Sequence, residues 1–384
     1  MAGVLFWLLA GGALLLALHS LAGLRRSAGY YRRKLPDVRQ TGYLPPVALI
    51  VPVKGPEEGL LENLASLASL DYPDYELIVA ARNGADIPPG VTPPRARVVL
   101  AGEAEPGTGE KIHNLIAAIR QGAPAAEVFA FADSDGRVSS GWLRALVAPL
   151  ADPGTGASTG YRCYLPDPPD FWSLLRSVWN AAILGSFGPG NNRLAWGGAM
   201  ALRREVFFRT RVLEFWQGSV SDDYGVAAAV HRAGLEVSFA PGALVVSADH
   251  TSAREFLSWV RRQLVITRVY NPKLWWLSFV ATAAYSGAMV ASVAAAIQGH
   301  LAGGVILGAL VALEVWKGAG RTRLARAVLP ESRLWFDRYG WLQTWCAPVA
   351  TWLWLYALLA SAPSNVIEWR GNRYRLSRRA APSP

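Results

Sequence analysis

The sequence predicts an α/β domain on a parallel sheet, held between apolar helices that cross a membrane. Between residues 45 and 250 short apolar runs alternate with stretches of helical period, the pattern of strands joined by crossover helices. Outside that interval lie long uncharged segments, and 52% of the 384 residues are hydrophobic. The 16 tryptophans add to this, because Trp gathers where bilayer meets water. A net charge of +10 suits a protein lying against anionic lipid or handling phosphate. No compact basic motif interleaved with aromatics points to nucleic acid. Cys163 and Cys346 form neither a disulfide framework nor a zinc spacing.

Residues 4–22 carry no charge and are long enough to cross the roughly 30 Å apolar core of a bilayer. The basic residues Arg25, Arg26, Arg32, Arg33 and Lys34 come after the apolar run, whereas a secretory signal places them before it. Residues 1–24 therefore read as an uncleaved anchor, with the basic residues and the domain after them on the cytoplasmic side. The α/β domain is expected over 45–250. Residues 47–53 are a first buried strand closed by Lys54-Gly55, and 57–70 an amphipathic helix with Leu60, Leu61, Leu64, Leu67 and Leu70 on one face. Residues 75–81 are a second strand, 97–100 a third, 114–119 a helix and 128–132 a fourth, fully apolar strand. Residues 196–202 read as a strand entered through a glycine turn, and 221–233 as a helix capped by Ser221 or Asp222.

Beyond the domain, 251–274 has the pattern of an amphipathic interface helix, with Phe256, Trp259, Val260 and Leu264 set against Arg261, Arg262 and Arg268. Residues 275–317 read as a transmembrane hairpin that carries Glu314, and 318–340 as a basic interfacial loop. Residues 341–361 are a transmembrane or re-entrant segment, and 362–384 a basic tail with Arg370, Arg373, Arg375, Arg378 and Arg379. Counting spans puts that tail outside, whereas its charge puts it inside.

The chemistry gathers where strands end. Asp133 and Asp135 flank Ser134 just past the fourth strand, and residues i and i+2 of extended chain project to one side. Two carboxylates so placed can hold a divalent ion with hard oxygen ligands, or simply cap a turn. Lys54, Asn83 and Asp86 also fall at carboxyl ends of strands, where parallel sheets bind ligands. Lys54 and Lys111 read either as phosphate contacts or as solvated lysines. His250 reads as lining a ligand path or as structural, and His113 as a helix residue without a role. Asp222 and Asp223 open the last helix of the domain; one suffices for capping, which leaves a carboxylate over.

Taken in order, the motifs are Pro52-Val53-Lys54-Gly55, Asp71-Tyr72-Pro73, Asp86, Lys111 to Leu115, Asp133-Ser134-Asp135, Gly197-Gly198, Asp222-Asp223-Tyr224 and a Trp259-x-x-Arg262-Gln263 element. The set resembles the family 2 type of glycosyltransferases, most closely the ceramide glucosyltransferase group, whose bacterial relatives include hopanoid glycosyltransferases. That resemblance implies a GT-A, Rossmann-like fold that binds a nucleotide-diphosphate sugar, with Mg²⁺ or Mn²⁺ near the Asp-x-Asp. It implies Asp133 and Asp135 as metal motif, Asp86 and Asn83 at the nucleotide, and Lys54 and Lys111 near phosphate. Asp223 becomes the catalytic base and Asp222 the helix cap, or the two exchange roles. Arg262 matches the arginine of a Gln/Arg-x-x-Arg-Trp motif, but Trp259 stands at its first position and Gln263 replaces its tryptophan.

The implied reaction is inverting transfer of a hexose from a UDP-sugar to a lipid hydroxyl, with glucose from UDP-glucose to ceramide as the leading case. Transfer from UDP-N-acetylglucosamine to a hopanoid polyol is the alternative within the class, and an inactive membrane scaffold the alternative outside it. The expected setting is a bacterial inner membrane with the catalytic domain in the cytoplasm, and no nucleic acid partner.

Overall fold

A computed structural model describes residues 2–37, 42–105, 107–122, 125–190 and 194–377. The chain divides into two compact units. One comprises Tyr30–Pro169, Pro189–His250 and Glu368–Pro384 and carries the main sheet; the other comprises Met1–Gly29, Asp170–Gly188 and Thr251–Ile367 and is helical.

The sheet unit is built on β1 (Val47–Pro52), β2 (Tyr75–Ala81), β3 (Arg97–Leu100), β4 (Val128–Ala132), β5 (Thr155–Tyr164), β6 (Ala199–Arg203) and β7 (Glu236–Ser247). Among the described residues these seven strands form one sheet in the order β3-β2-β1-β4-β6-β5-β7. The first four pair in parallel, β6 runs antiparallel to β4 and β5, and β7 lies parallel to β5. This is the α/β class of fold expected from the alternation of strands and helices, with an antiparallel strand added to the parallel half.

Alternation along β1 sends Leu49 and Val51 to one face, against Leu60, Leu64, Leu67, Trp142 and Leu146. Ala48 and Ile50 go to the other, against Ile112, Leu115, Phe207 and Trp216. Both faces are covered, so the strands that looked like uninterrupted apolar runs are indeed buried on two sides. Each such Leu or Phe contributes about 1.5–3 kcal/mol relative to exposure. The helix expected over 114–119 is longer, Glu110–Gly122, and this brings Glu110 and Lys111 into its first turn. β6 starts later than expected, at Ala199, so that Trp196, Gly197 and Gly198 form the approach to the strand.

Helices long and apolar enough to cross a membrane lie at Gly3–Leu35, Pro272–Ile297 and Leu301–Val328, the first belonging to the helical unit as far as Gly29. Ala10, Ala13 and Ala17 of the first helix pack with Tyr285, Ala288, Ile306 and Leu310, small residues that let backbones approach closely. The Tyr285 hydroxyl donates to the Leu310 carbonyl at 2.6 Å, which satisfies a phenol that apolar neighbours could not. Buried Glu314 pairs with Lys317 and lies 3.8 Å from Arg321.

Two expectations change in this unit. The basic stretch 318–340 is not a loop: one helix continues to Val328 and another spans Arg333–Trp345. The helix Ala253–Tyr270, opened by a Ser252–Glu255 capping box, buries Phe256, Val260 and Leu264 against Trp179, Trp275 and Leu358. Its Arg261 and Arg268, expected on the polar face of an interface helix, instead donate to the carbonyls of Ala360, Ser361, Ser364 and Val366. They thereby satisfy the end of the helix Ala347–Ser361, whose last carbonyls have no partner within the helix. At 15 residues that helix is short of the ~20 needed to span. The tail forms a hairpin of β8 (Val366–Trp369) and β9 (Asn372–Arg375), while Arg378 and Arg379 lie outside the described residues.

Candidate active site

Beyond the carboxyl ends of β1, β2 and β4, the sheet unit assembles a dense cluster of charge. Asp133 and Asp135 leave β4 and converge on one guanidinium, that of Arg162 on β5. Arg162 Nη2 donates to Asp133 Oδ2 at 3.1 Å and also to Asp135 Oδ1, while Nη1 donates to Asp135 Oδ2 at 2.9 Å. Its plane lies over Trp196 and Tyr164, at 4.9 and 5.4 Å. Burial alone would raise the Asp135 carboxyl, but the Arg162 charge and its hydrogen bonds hold it well below the usual carboxylate range.

The loop carrying the two carboxylates is fixed from three directions. Asn63 donates to the Ser134 carbonyl at 3.1 Å, Ser247 to the Asp135 carbonyl at 2.7 Å, and the Ser134 hydroxyl to Glu57 Oε2 at 2.6 Å. Glu57 is in turn paired with Arg370 of the tail hairpin. Burial raises the Glu57 carboxyl, against the pull of Arg370.

Lys111 stands between two acids, 2.8 Å from Asp133 Oδ1 and 3.0 Å from Asp222 Oδ2. It is neither solvated nor a surface residue. Burial works to lower its ammonium, but Asp133 and Asp222 outweigh that and hold it above its ordinary value. Gly197 and Gly198 are required by the same cluster. A Cβ on Gly197 would lie 2.3 Å from Asp222 Oδ2, and one on Gly198 would lie 2.2 Å from the Trp196 ring and 2.5 Å from Asp133 Oδ2.

The helix Asp222–Arg232 settles which residue caps it. Ser221 is the N-cap, its hydroxyl accepting from Tyr224 N, so Asp222 is not the cap. Asp222 is buried and faces Lys111, while Asp223 Oδ1 accepts from Tyr224 N at 2.7 Å and from the Ser221 hydroxyl. Burial, and then the adjoining charge of Asp222, push the Asp223 carboxyl up to about 6.

The residues expected at the nucleotide sit together at the ends of β1 and β2. Arg82 Nε donates to Asp86 Oδ2 at 3.2 Å, and the Asp86 carbonyl accepts from Gly55 N at 2.7 Å. Asn83 Oδ1 caps the short turn after β2 by accepting from Ala85 N at 3.0 Å, so this oxygen is already committed to the backbone. Lys54 pairs with Glu110 at 2.7 Å, and Asn372 donates to the same Glu110 oxygen at 2.9 Å. His113 Nε2 lies 3.0 Å from the Ala101 carbonyl, a structural contact. His250 is held by Glu58 and by the Pro168 carbonyl. Arg262 and Gln263 belong to the helical unit, on the helix Ala253–Tyr270.

Sequence reasoning missed Arg162, Glu57, Glu110 and Arg370. For Arg162 a signal exists: an arginine between Tyr161 and Cys163 in a short apolar and small-residue run needs an internal acid. Among the described residues no three His, Cys, Asp or Glu side chains form a metal cluster by themselves.

The model of the family described as Glycosyl transferase family 21 matches residues 5–381. The chain belongs to glycosyl transferase family 21. That assignment covers both units and makes glycosyl transfer the reaction class. It also narrows the resemblance to family 2-type enzymes down to this one family. No curated protein sequence matches the chain. Among solved structures, the family 21 chain is similar to a mannosyltransferase from Pyrobaculum calidifontis in complex with GDP-Man and Mn²⁺, at 21% identity and a TM-score of 0.49, over 91% of this chain and 99% of that one. It is also similar to glucosyl-3-phosphoglycerate synthase from Mycobacterium tuberculosis in complex with Mn²⁺ and UDP-glucose, at 14% identity and a TM-score of 0.39, over 61% of this chain and 81% of that one.

Proposed function

We propose that this membrane glycosyltransferase transfers a hexose from a UDP-sugar to a lipid hydroxyl with inversion, glucose to ceramide being the leading case. The observation that carries the reading is the convergence of Asp133 and Asp135 on a single nitrogen beside a separate carboxyl, Asp223, pushed up to about 6. A base poised near neutrality is suited to take a proton from an acceptor hydroxyl at physiological pH.

The donor set fits a divalent cation. Two hard carboxylates already reach one cationic position, and they are 25% and 31% exposed where Arg162 is 7%, so part of each carboxylate remains accessible to solvent. Asp133 and Asp135 would hold Mg²⁺ or Mn²⁺, which neutralises charge on a departing diphosphate. The protein's own groups do the rest. Lys111 fixes Asp133 and Asp222, Arg162 fixes Asp135, and Asp223 accepts the proton from the lipid hydroxyl. Lys54, Asn83 and Asp86 line the nucleotide side in this reading. Arg262 is assigned to the leaving diphosphate and Gln263 to its neighbourhood by the partly matched motif alone.

Three long apolar helices support a lipid acceptor. The basic residues after the first span favour a cytoplasmic catalytic unit in a bacterial inner membrane. The test incubates purified protein with UDP-glucose or UDP-N-acetylglucosamine, Mn²⁺ or Mg²⁺, and either ceramide or a hopanoid polyol, and weighs the glycolipid product. Glucosylceramide supports the leading case, and N-acetylglucosaminyl hopanoid replaces it. Absence of any nucleotide-sugar binding by calorimetry would leave the scaffold reading.

A further inference from the structure

The hairpin of β8 and β9 turns through Arg370 and Gly371, both at positive φ, 48° and 78°. A two-residue turn with both residues left-handed is where Asn-Gly or Asp-Gly normally stands. An arginine in the first position is an unfavourable choice for the turn itself, so its side chain needs another reason. That side chain reaches back over the end of β1. Its Nη1 pairs with Glu57 and lies 3.5 Å from the Lys54 carbonyl. Glu57 receives the hydroxyl of Ser134, the residue between Asp133 and Asp135. The guanidinium is thus one side chain away from the paired carboxylates, at the ends of β1 and β4 where such sheets place ligands.

A tie holding the tail to the sheet would not need this charge. Asn372 and Tyr374 already make that tie, at Glu110 Oε2 and at the Glu110 backbone N–H. Resting on the UDP-sugar reading above, we propose that Arg370 is a donor-binding residue, a cation that the C-terminal hairpin delivers to the diphosphate of the sugar nucleotide. Glu57 holds the guanidinium when no diphosphate is there, and the diphosphate, with more charge and more acceptor oxygens, takes it over.

The test measures UDP and UMP binding to the full-length protein in lipid nanodiscs with Mn²⁺ by calorimetry. Arg370→Gln is expected to weaken UDP binding about tenfold or more, the worth of one charge-assisted contact, and UMP binding far less. Arg370→Lys, which keeps the charge, is expected to recover most of the preference for UDP. Arg373→Gln, an exposed cation on the same hairpin, is expected to bind both as the wild type does. Melting temperatures of all three variants within a few degrees of wild type would exclude a folding effect. Wild-type UDP affinity in Arg370→Gln overturns the assignment, as does an equal loss of UDP and UMP that Arg370→Lys fails to restore. A wild-type protein that binds no UDP refutes the UDP-sugar reading itself, an outcome distinct from a binding-competent protein indifferent to Arg370.

Discussion

Replacing Asp223 by Asn separates its proposed role as base from its part in the fold. The carboxyl is held at about 6 instead of 3.8, so its anion is disfavoured in the folded protein by about 3 kcal/mol, at about 1.4 kcal/mol for each pH unit. Because the folded pKa lies above the unfolded one, the folded chain binds the extra proton between pH 3.8 and about 6, and wild-type stability falls as pH rises through that window. An asparagine in its place would carry no such penalty, and its amide oxygen can still accept from Ser221 and Tyr224 N. Asp223→Asn is therefore expected to melt with the wild type near pH 4 and above it at pH 8, by up to about 3 kcal/mol. Transfer is expected to fall about 10²- to 10⁴-fold, the usual worth of a general base. Melting curves at both pH values and radiolabelled sugar transfer at pH 8 measure the two effects. Activity retained within a few fold, or a variant less stable at pH 8 than at pH 4 relative to wild type, would refute the reasoning.

Lys111→Met removes a charge that lowers the Asp223 carboxyl, so the acid limb of the pH–rate profile is expected to move above about 6, read from initial rates over pH 5–9. Arg162→Met leaves Asp133 and Asp135 facing each other without their shared cation. The expected cost is toward the low side of the about 3–5 kcal/mol of a broken buried pair, since both carboxylates are partly exposed, and Mn²⁺ should restore more of the melting temperature than it adds to wild type. Gly198→Ala drives a methyl into Trp196 and Asp133 and is expected to reduce transfer about 10²-fold or more, in keeping with displacement of a site group by about 1 Å, while Gly141→Ala, with open space around it, leaves rates unchanged.

Most of the parallel half of the sheet was legible because β1, β2 and β4 are apolar runs too short for helices and end in polar turns. β5 was not, because Thr155–Tyr164 is buried throughout yet made of Thr, Ser, Gly, Ala, Cys and Tyr with an arginine, so neither alternation nor an apolar run marks it. The site divided along the same line. Asp133, Asp135 and Asp223 were visible as local patterns, and Gly197-Gly198 as a turn. Their partners Arg162, Glu57 and Arg370 come from β5, the loop after β1 and the tail, and only the tertiary fold joins them. The tail hairpin carries a local mark, Gly371 at the second turn position, which its run of basic charge obscured.

Arg162 has a consequence for the order of events. Two like charges left alone would repel and drift apart, whereas a resident guanidinium keeps them aligned at all times. A bare divalent ion would gain little there, since Arg162 and Lys111 already answer their negative charge. In the proposed metal reading, Asp133 and Asp135 would hold the ion firmly only together with oxygens of a bound diphosphate, and would not keep it as a permanent fixture.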